Sequence, residues 1–186
     1  MTEKSKSKHD EHHECCKHDE SHEHHRHYKH PEMPEYQYRG ARALVLLHER
    51  KLQRFYETWL DARENGVKLP ETKDPDYASL DTLLRHVLRA ARGYMTWMCE
   101  KLELPDPGIE PTPEVDRIAG EAELYLEHLL EKWRAPLAEV PEERFLNATY
   151  LSRWNTQYCI DSMLEHAVVH PMRHRFQLKE LLASAR

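Results

Sequence analysis

The sequence predicts an all-α protein: a four-helix bundle with a long crossover connection before the last helix, preceded by a disordered His-rich N-terminal tail. Its 186 residues include only five glycines and three phenylalanines, and the abundance of Leu, Glu, Arg and Ala favours helices over sheets. Apolar residues also recur at steps of three and four in four separate segments, which is the helical period. A chain of this length holds one domain of ordinary size.

The charge pattern and the cysteines exclude several classes of protein. The net charge of −6, with both signs mixed along the chain, argues against nucleic acid as the main partner. No stretch approaches the length of an apolar membrane span, and the N-terminus lacks the apolar region of a signal peptide. Cys15 and Cys16 are adjacent, whereas Cys99 and Cys159 are isolated, so the four cysteines do not form a disulfide framework. We therefore expect a cytoplasmic protein with reduced thiols.

Residues 1–38 are expected to form a disordered, metal-binding tail, and residues 39–186 the folded domain. The tail contains nine of the fifteen histidines, together with Asp, Glu, Lys and a Cys pair. Such a segment lacks the apolar residues of a core but offers many imidazole and thiolate ligands. A purification tag would explain the histidines, but the irregular mixture with Asp, Glu and Cys favours a native metal-sequestering segment.

The first two helices follow the tail. Helix one begins at Gly40 and ends before Gly66, and its apolar stripe includes His48. We interpret His48 as a hydrogen-bonded core histidine, with a place in the lining of a cavity as the alternative. Helix two should span residues 80–102, and it carries His86 beside its apolar stripe, on the side that faces the inside of a bundle.

The second half of the chain contains two more helices and a long connection. A proline-rich linker precedes helix three, predicted at residues 113–136, where His128 lies off the apolar face and is expected at the surface. Residues 137–153 are too apolar for a free linker and are expected to cross the bundle end or to form a lid over a site. Helix four should span residues 155–183, with Pro171 producing a kink.

Three histidines in the last helix have the spacing of metal ligands. His166, His170 and His174 recur every fourth residue, so their imidazoles project from one face of the helix. Core residues continue this face in both directions, which predicts that the imidazoles point inward. Two imidazoles one turn apart can reach one divalent ion, and His86 is the best candidate for a third ligand. The alternatives are a surface row or hydrogen-bonded core histidines.

These segments together resemble the DinB-like superfamily over residues 40–184. The resemblance rests on an early histidine in helix two, within Leu83-Leu84-Arg85-His86-Val87, and on the last-helix segment His170-Pro171-Met172-Arg173-His174-Arg175-Phe176-Gln177, preceded by His166. The chain departs from the family pattern in two places. Phe176 stands where a glycine is frequent before the Gln, and Pro171 follows the first histidine of the motif, so the shape of the pocket is open to question.

The resemblance implies a four-helix bundle with a metal site made of His86, His170 and His174. It also implies a homodimer and a small-molecule substrate, since several branches look like S-transferases or isomerases that use a low-molecular-weight thiol such as bacillithiol or mycothiol. Zinc is the expected metal, although Ni²⁺, Fe²⁺ and Mn²⁺ also suit three imidazoles. Gln177 is expected either to hydrogen-bond near the site or to pack at the helix end.

Three histidine ligands leave a coordination position open, which is typical of catalytic zinc. A thiol bound there would ionise more readily, and so would water. The resemblance favours the thiol, so a metal-dependent thiol S-transferase is the expected function. The alternatives are a metal-dependent hydrolase and a non-catalytic metal-buffering or stress-response protein.

Overall fold

The computed structural model describes residues 32–184. These residues are mostly helical, and they form five α-helices and one two-stranded antiparallel sheet: α1 Arg39–Glu64, α2 Leu80–Lys101, α3 Val115–Trp133, α4 Glu143–Leu146, β1 Tyr150–Leu151, β2 Gln157–Tyr158 and α5 Ile160–Ser184. This composition is compatible with the all-α prediction. No helix within the described range is long and apolar enough to cross a membrane.

Helix α1 packs along α5 and supplies much of the core. Its buried row includes Leu52, Phe55 and Trp59, all with no exposed surface, because apolar residues repeat at the helical period. The Trp59 indole N–H donates to the carbonyl of Leu80, 2.7 Å away, and so ties α1 to the start of α2. Helix α1 ends where Gly66 takes a positive φ of 63°, a conformation that glycine adopts without steric cost.

Helix α2 lies between α3 and α5, and it therefore presents residues to both neighbours. A capping box at Ser79 and Thr82 starts it: each side chain bonds the backbone N–H of the other residue. The Trp133 indole N–H of α3 donates to the carbonyl of Ala91 in α2, at 3.2 Å. Helix α2 also packs against α5, and His86 lies on that side.

The predicted tail extends too far into the chain. Residues 1–31 lie outside the described residues, but Tyr36 is buried, and its hydroxyl donates to the carbonyl of Arg134 at 2.7 Å. The backbone N–H of Gln37 also donates to Ala138 O at 2.9 Å. The aromatic side chain of Tyr36 gives this segment an apolar group to bury, so the packed region starts before residue 39.

The last helix begins later than predicted. The sequence pattern predicts a start at residue 155, but α5 starts at Ile160, and β1 and β2 form a hairpin immediately before it. Asn155 stands at the turn with a positive φ of 62°, which a helix does not allow. The Ser152 hydroxyl accepts from the N–H of Thr156 at 3.1 Å and closes the turn. Local hydrogen bonds of this kind compete with helix formation.

The other boundaries differ less. Helix α3 starts at Val115 and ends at Trp133, inside the predicted 113–136. The long connection contains the short helix α4, whose Phe145 is fully buried. Packing of α4 against α5 therefore explains Phe145, whereas Leu146 and Leu151 of the same connection are about half exposed.

Candidate metal centre

The three predicted ligands come together between α2 and α5. The Nε2 atom of His170 lies 3.1 Å from Nε2 of His86 and 3.3 Å from Nε2 of His174. One ligand atom from each histidine lies within 4.8 Å of the other two. Nitrogens bound 2.0–2.1 Å from a tetrahedral ion would stand about 3.3 Å apart. Two of the three distances match this value, and the group could therefore hold a metal ion.

A carboxylate orients His86. Asp76 Oδ2 lies 2.7 Å from Nδ1 of this histidine, so a neutral ring donates its Nδ1–H to the carboxylate and keeps a lone pair on Nε2. Asp76 belongs to a 3-10 turn, Pro75–Tyr77, and the carboxylate of Asp74 caps this turn by accepting from the N–H of Asp76. Arg89 also approaches the Asp76 carboxylate, at 3.4 Å.

The same turn and the last helix orient His174. Nδ1 of His174 lies 3.1 Å from Oε1 of Gln177 and 3.1 Å from the hydroxyl of Tyr77. The Tyr77 hydroxyl donates to the same Gln177 oxygen, at 3.4 Å. The amide oxygen can only accept, so the Nδ1–H of His174 donates and its Nε2 carries a lone pair. Gln177 thus contacts a predicted ligand, one of the two roles expected for it.

His170 occupies the middle of the group and is the least satisfied of the three. It is 5% exposed, and its Nδ1 has no hydrogen-bond partner. Burial, and then His174 and His86, lower the pKa of His170 to about 2. Burial and then His86 lower the pKa of His174 to about 4. Both rings are therefore neutral near pH 7, which is the form that binds metals.

A cation would satisfy the three Nε2 atoms better than hydrogen bonds among the rings do. Nε2 of His86 and Nε2 of His174 are both acceptors, and both are directed at the His170 ring. A single Nε2–H on His170 would satisfy only one of them, and its own Nδ1 lacks a partner whether or not an ion is bound. A divalent ion would instead engage all three nitrogens.

The other predicted histidines lie outside this group. His166, one turn before His170, stacks on Trp154 with ring centroids 5.4 Å apart, and Tyr94 meets it edge-on at 5.3 Å. His128 lies at the surface as predicted, where its Nε2 accepts from the N–H of Glu110 at 3.0 Å. The hairpin aromatics surround His166, so only two of the three histidines on this face join His86.

His48 is a core histidine, as interpreted from the sequence, but it has no hydrogen bond. It is 1% exposed, and neither ring nitrogen has a partner among the described residues. Its ring instead stacks on Trp133, with centroids 3.8 Å apart and planes 17° from parallel. Burial lowers the pKa of His48 to about 3. It does not line the cavity beside the metal centre.

A cavity of about 370 Å³ opens beside the three histidines. Its lining comes from α2, from the segment between β1 and β2, and from α5: His86, Arg89, Ala90, Gly93, Tyr94, Trp97, Arg153, Trp154, Met163 and His170. The expected lid, residues 137–153, contributes only its last residue to this lining. His86 and His170 place two potential ligands on the cavity wall, so a small molecule in the cavity would meet a bound ion.

Sequence reasoning missed Asp76 and Tyr77, which contact two of the three ligands. Asp74-Pro75-Asp76 is a helix-start pattern a few residues before α2. Such a position brings the turn near the first turns of α2, where His86 lies. That proximity was the available signal. The same proximity could not show that Tyr77 contacts His174, which lies 97 positions later in the sequence.

Comparisons with known proteins give no identification. No family model matches the chain, and the searches of curated proteins and of solved structures find no match either. The DinB-like resemblance consequently rests on the sequence motifs alone.

Proposed function

We propose that the protein is a DinB-like four-helix bundle that acts as a metal-dependent S-transferase on a low-molecular-weight thiol. The bundle consists of α1, α2, α3 and α5. The observation that carries the proposal is the convergence of three imidazole lone pairs on one point beside a cavity. Three ligands leave a position for a substrate atom, whereas a structural site is closed by a fourth protein ligand.

A divalent ion, with zinc first and Ni²⁺, Fe²⁺ or Mn²⁺ as alternatives, would supply a Lewis acid that lowers the pKa of a bound thiol. The residues of the chain hold the ligands. Asp76 fixes the ring of His86, while Gln177 and Tyr77 fix that of His174. Partners of this kind select the tautomer and raise the basicity of the ligand nitrogen.

The cavity offers no carboxylate to assist hydrolysis by water. No Asp or Glu is among the described residues that line it, so a carboxylate general base is missing there. Burial raises the pKa of Tyr94 to about 12, so its phenol stays protonated and cannot serve as that base. Water bound to the metal would ionise as a thiol would, so the preference for a thiol rests on the family resemblance.

A cobalt spectrum tests the proposal. The metal is replaced by Co²⁺ in the full chain, and bacillithiol, mycothiol, glutathione or cysteine is added to the wild type and to His170→Ala. We expect a near-ultraviolet sulfur-to-cobalt band in the wild type only. The comparison cancels any contribution of the tail, which both proteins carry. If no thiol changes the difference spectrum, thiol transfer is wrong.

Metal buffering is the second candidate. It is favoured by the nine histidines of residues 1–38, which offer ligands far in excess of one site. Under this alternative the three-histidine group stores or senses the ion. The cobalt experiment separates the two functions, because a storage site has no reason to admit a thiol.

A further inference from the structure

We propose that the cavity beside His86 and His170 selects a small substrate that carries a carboxylate, which binds to Arg153 with support from Arg89. The proposal deepens the proposed function, since it assigns a substrate class to the same site. It rests on the charge of the cavity lining, on its aromatic wall and on the position of Arg153.

The charge of the lining has one sign. Arg89 and Arg153 are the charged residues among the described lining residues, apart from the histidines, and no acidic residue accompanies them. The guanidinium of Arg89 forms an ion pair with the carboxylate of Asp76, which offsets part of its charge. Arg153 is exposed to solvent and makes no ion pair within residues 32–184. Lys101 and, less strongly, Arg153 lower the pKa of Glu100, but no carboxylate of the described residues lies on the Arg153 guanidinium, so it is available to a ligand. A planar guanidinium matches a carboxylate through two parallel hydrogen bonds.

Arg153 lies across α2 beside a glycine. A Cβ atom built on Gly93 would stand 4.0 Å from Nη1 of Arg153, with no other atom closer than that. Gly93 therefore leaves room between the helix and the guanidinium, and this room is part of the cavity. A long side chain at position 93 would fill this part of the cavity.

An aromatic wall gives the cavity its apolar part. Trp154 is 46% exposed, stacks on His166 and meets Tyr94 edge-on at 6.3 Å. These contacts hold its ring in place although it faces solvent. Trp97 and Met163 extend the apolar surface. A ligand with a carboxylate at one end and an apolar body would satisfy both parts of the lining.

The first test compares three thiols of similar size on the Co²⁺-loaded full chain: 3-mercaptopropionate, 2-mercaptoethanol and cysteamine. The sulfur-to-cobalt band reports binding. We expect 3-mercaptopropionate to bind about five- to tenfold more tightly than 2-mercaptoethanol, as one charge-assisted pair allows, and cysteamine to bind weakest. Arg153→Gln should remove most of this preference and leave 2-mercaptoethanol binding unchanged. Arg89→Gln should reduce it less.

The matched control is Arg117→Gln, which removes the same charge from the exposed face of α3, outside the cavity lining. It should keep the full preference. Equal binding of the three thiols, or a preference that survives Arg153→Gln, would overturn the inference while leaving thiol transfer intact.

A second measurement keeps the inference testable if no thiol binds cobalt. Calorimetry of the zinc-loaded full chain with 3-phenylpropionate and 3-phenylpropanol compares a carboxylate with its alcohol and needs no sulfur. We expect the carboxylate alone to bind measurably, and Gly93→Leu, which fills the cavity, to abolish its binding with the metal content unchanged. If neither 3-phenylpropionate nor 3-phenylpropanol binds, the inference is wrong. If only the thiols fail to bind, only the proposed function is wrong.

Discussion

Asp76 Oδ2 lies 2.7 Å from Nδ1 of His86, and this contact joins the loop before α2 to the metal centre. The contact determines which nitrogen of His86 carries the proton and which one faces His170. The carboxylate accepts the Nδ1 proton of the ring, and Nε2 is thereby left as the atom that faces His170 at 3.1 Å. Asp76 is therefore as much a part of the centre as the histidine that it orients.

Removing this carboxylate should weaken metal binding. We expect Asp76→Ala to lower the affinity of the core site about 10- to 100-fold, the usual effect of losing a partner of a metal-bound histidine. Asp76→Asn, whose amide oxygen still accepts, should lose less. Competition with a chromophoric chelator measures the affinity. Glu71→Gln, an exposed change in the same loop, is the control, and an Asp76→Ala protein with unchanged affinity would refute the assignment.

Metal content after dialysis tests the ligands themselves. We expect His86→Ala, His170→Ala and His174→Ala each to lose the tightly bound ion, close to one per chain, because each removes one of three nitrogens. His128→Ala and His166→Ala should keep it, since neither ring belongs to the group. Elemental analysis of chains with and without residues 1–31 separates core metal from tail metal. Retention by the His170→Ala and His174→Ala proteins would disprove the site.

The histidine-rich N-terminal segment should bind further ions weakly. Its ligands are numerous, and imidazoles must be neutral to coordinate. Its affinity should therefore fall as the pH drops below the ordinary histidine pKa of about 6.5. Removing residues 1–31, which spares Tyr36, should abolish this binding and leave the core site intact. Identical Zn²⁺ or Ni²⁺ titrations of the two proteins would contradict a metal-binding role for the segment.

His48 predicts a pH dependence of stability. Its pKa is about 3 in the folded protein and about 6.5 when unfolded, so the unfolded state binds the extra proton. The protein should lose stability as the pH falls from 6.5 toward 3, by about 2–3 kcal/mol at pH 4.5. In His48→Phe this contribution disappears, and stability at pH 7 should rise by about 1 kcal/mol, because two unpaired nitrogens are removed.

Urea unfolding at several pH values measures the effect. His170 and His174 also have lowered pKa values and contribute the same trend in the metal-free protein, so the comparison is between variants. His128→Gln, a surface change, should follow the wild type. If the free energy of unfolding of His48→Phe falls with pH as steeply as that of the wild type, His48 is hydrated or hydrogen-bonded in solution.

The helices and part of the metal centre follow from local sequence. The apolar period predicted α1 and α2 to within one or two residues, because each helix must bury one face. The four-residue spacing of His170 and His174 placed both rings on one face of a helix for the same reason. Choosing His86 as the third ligand relied on its position beside an apolar stripe and on the family resemblance.

Contacts between distant segments decided the rest. His166 has the same spacing as His170, but Trp154 and Tyr94 enclose its ring, and only packing of the hairpin against α5 and α2 reveals this. Helix α5 starts later than predicted because hydrogen bonds around Asn155 form a turn where the helical pattern of the sequence is weak.

The ligand partners also belong to the tertiary structure. Tyr77 contacts His174, 97 positions later in the sequence. His86 and His170 are 84 positions apart, and their Nε2 atoms lie 3.1 Å from each other. Periodicity reports which side of a helix is buried, since it depends on neighbours in sequence. Which polar atoms meet inside that buried space depends on how the helices and the turn pack, and that is settled only when the whole core forms.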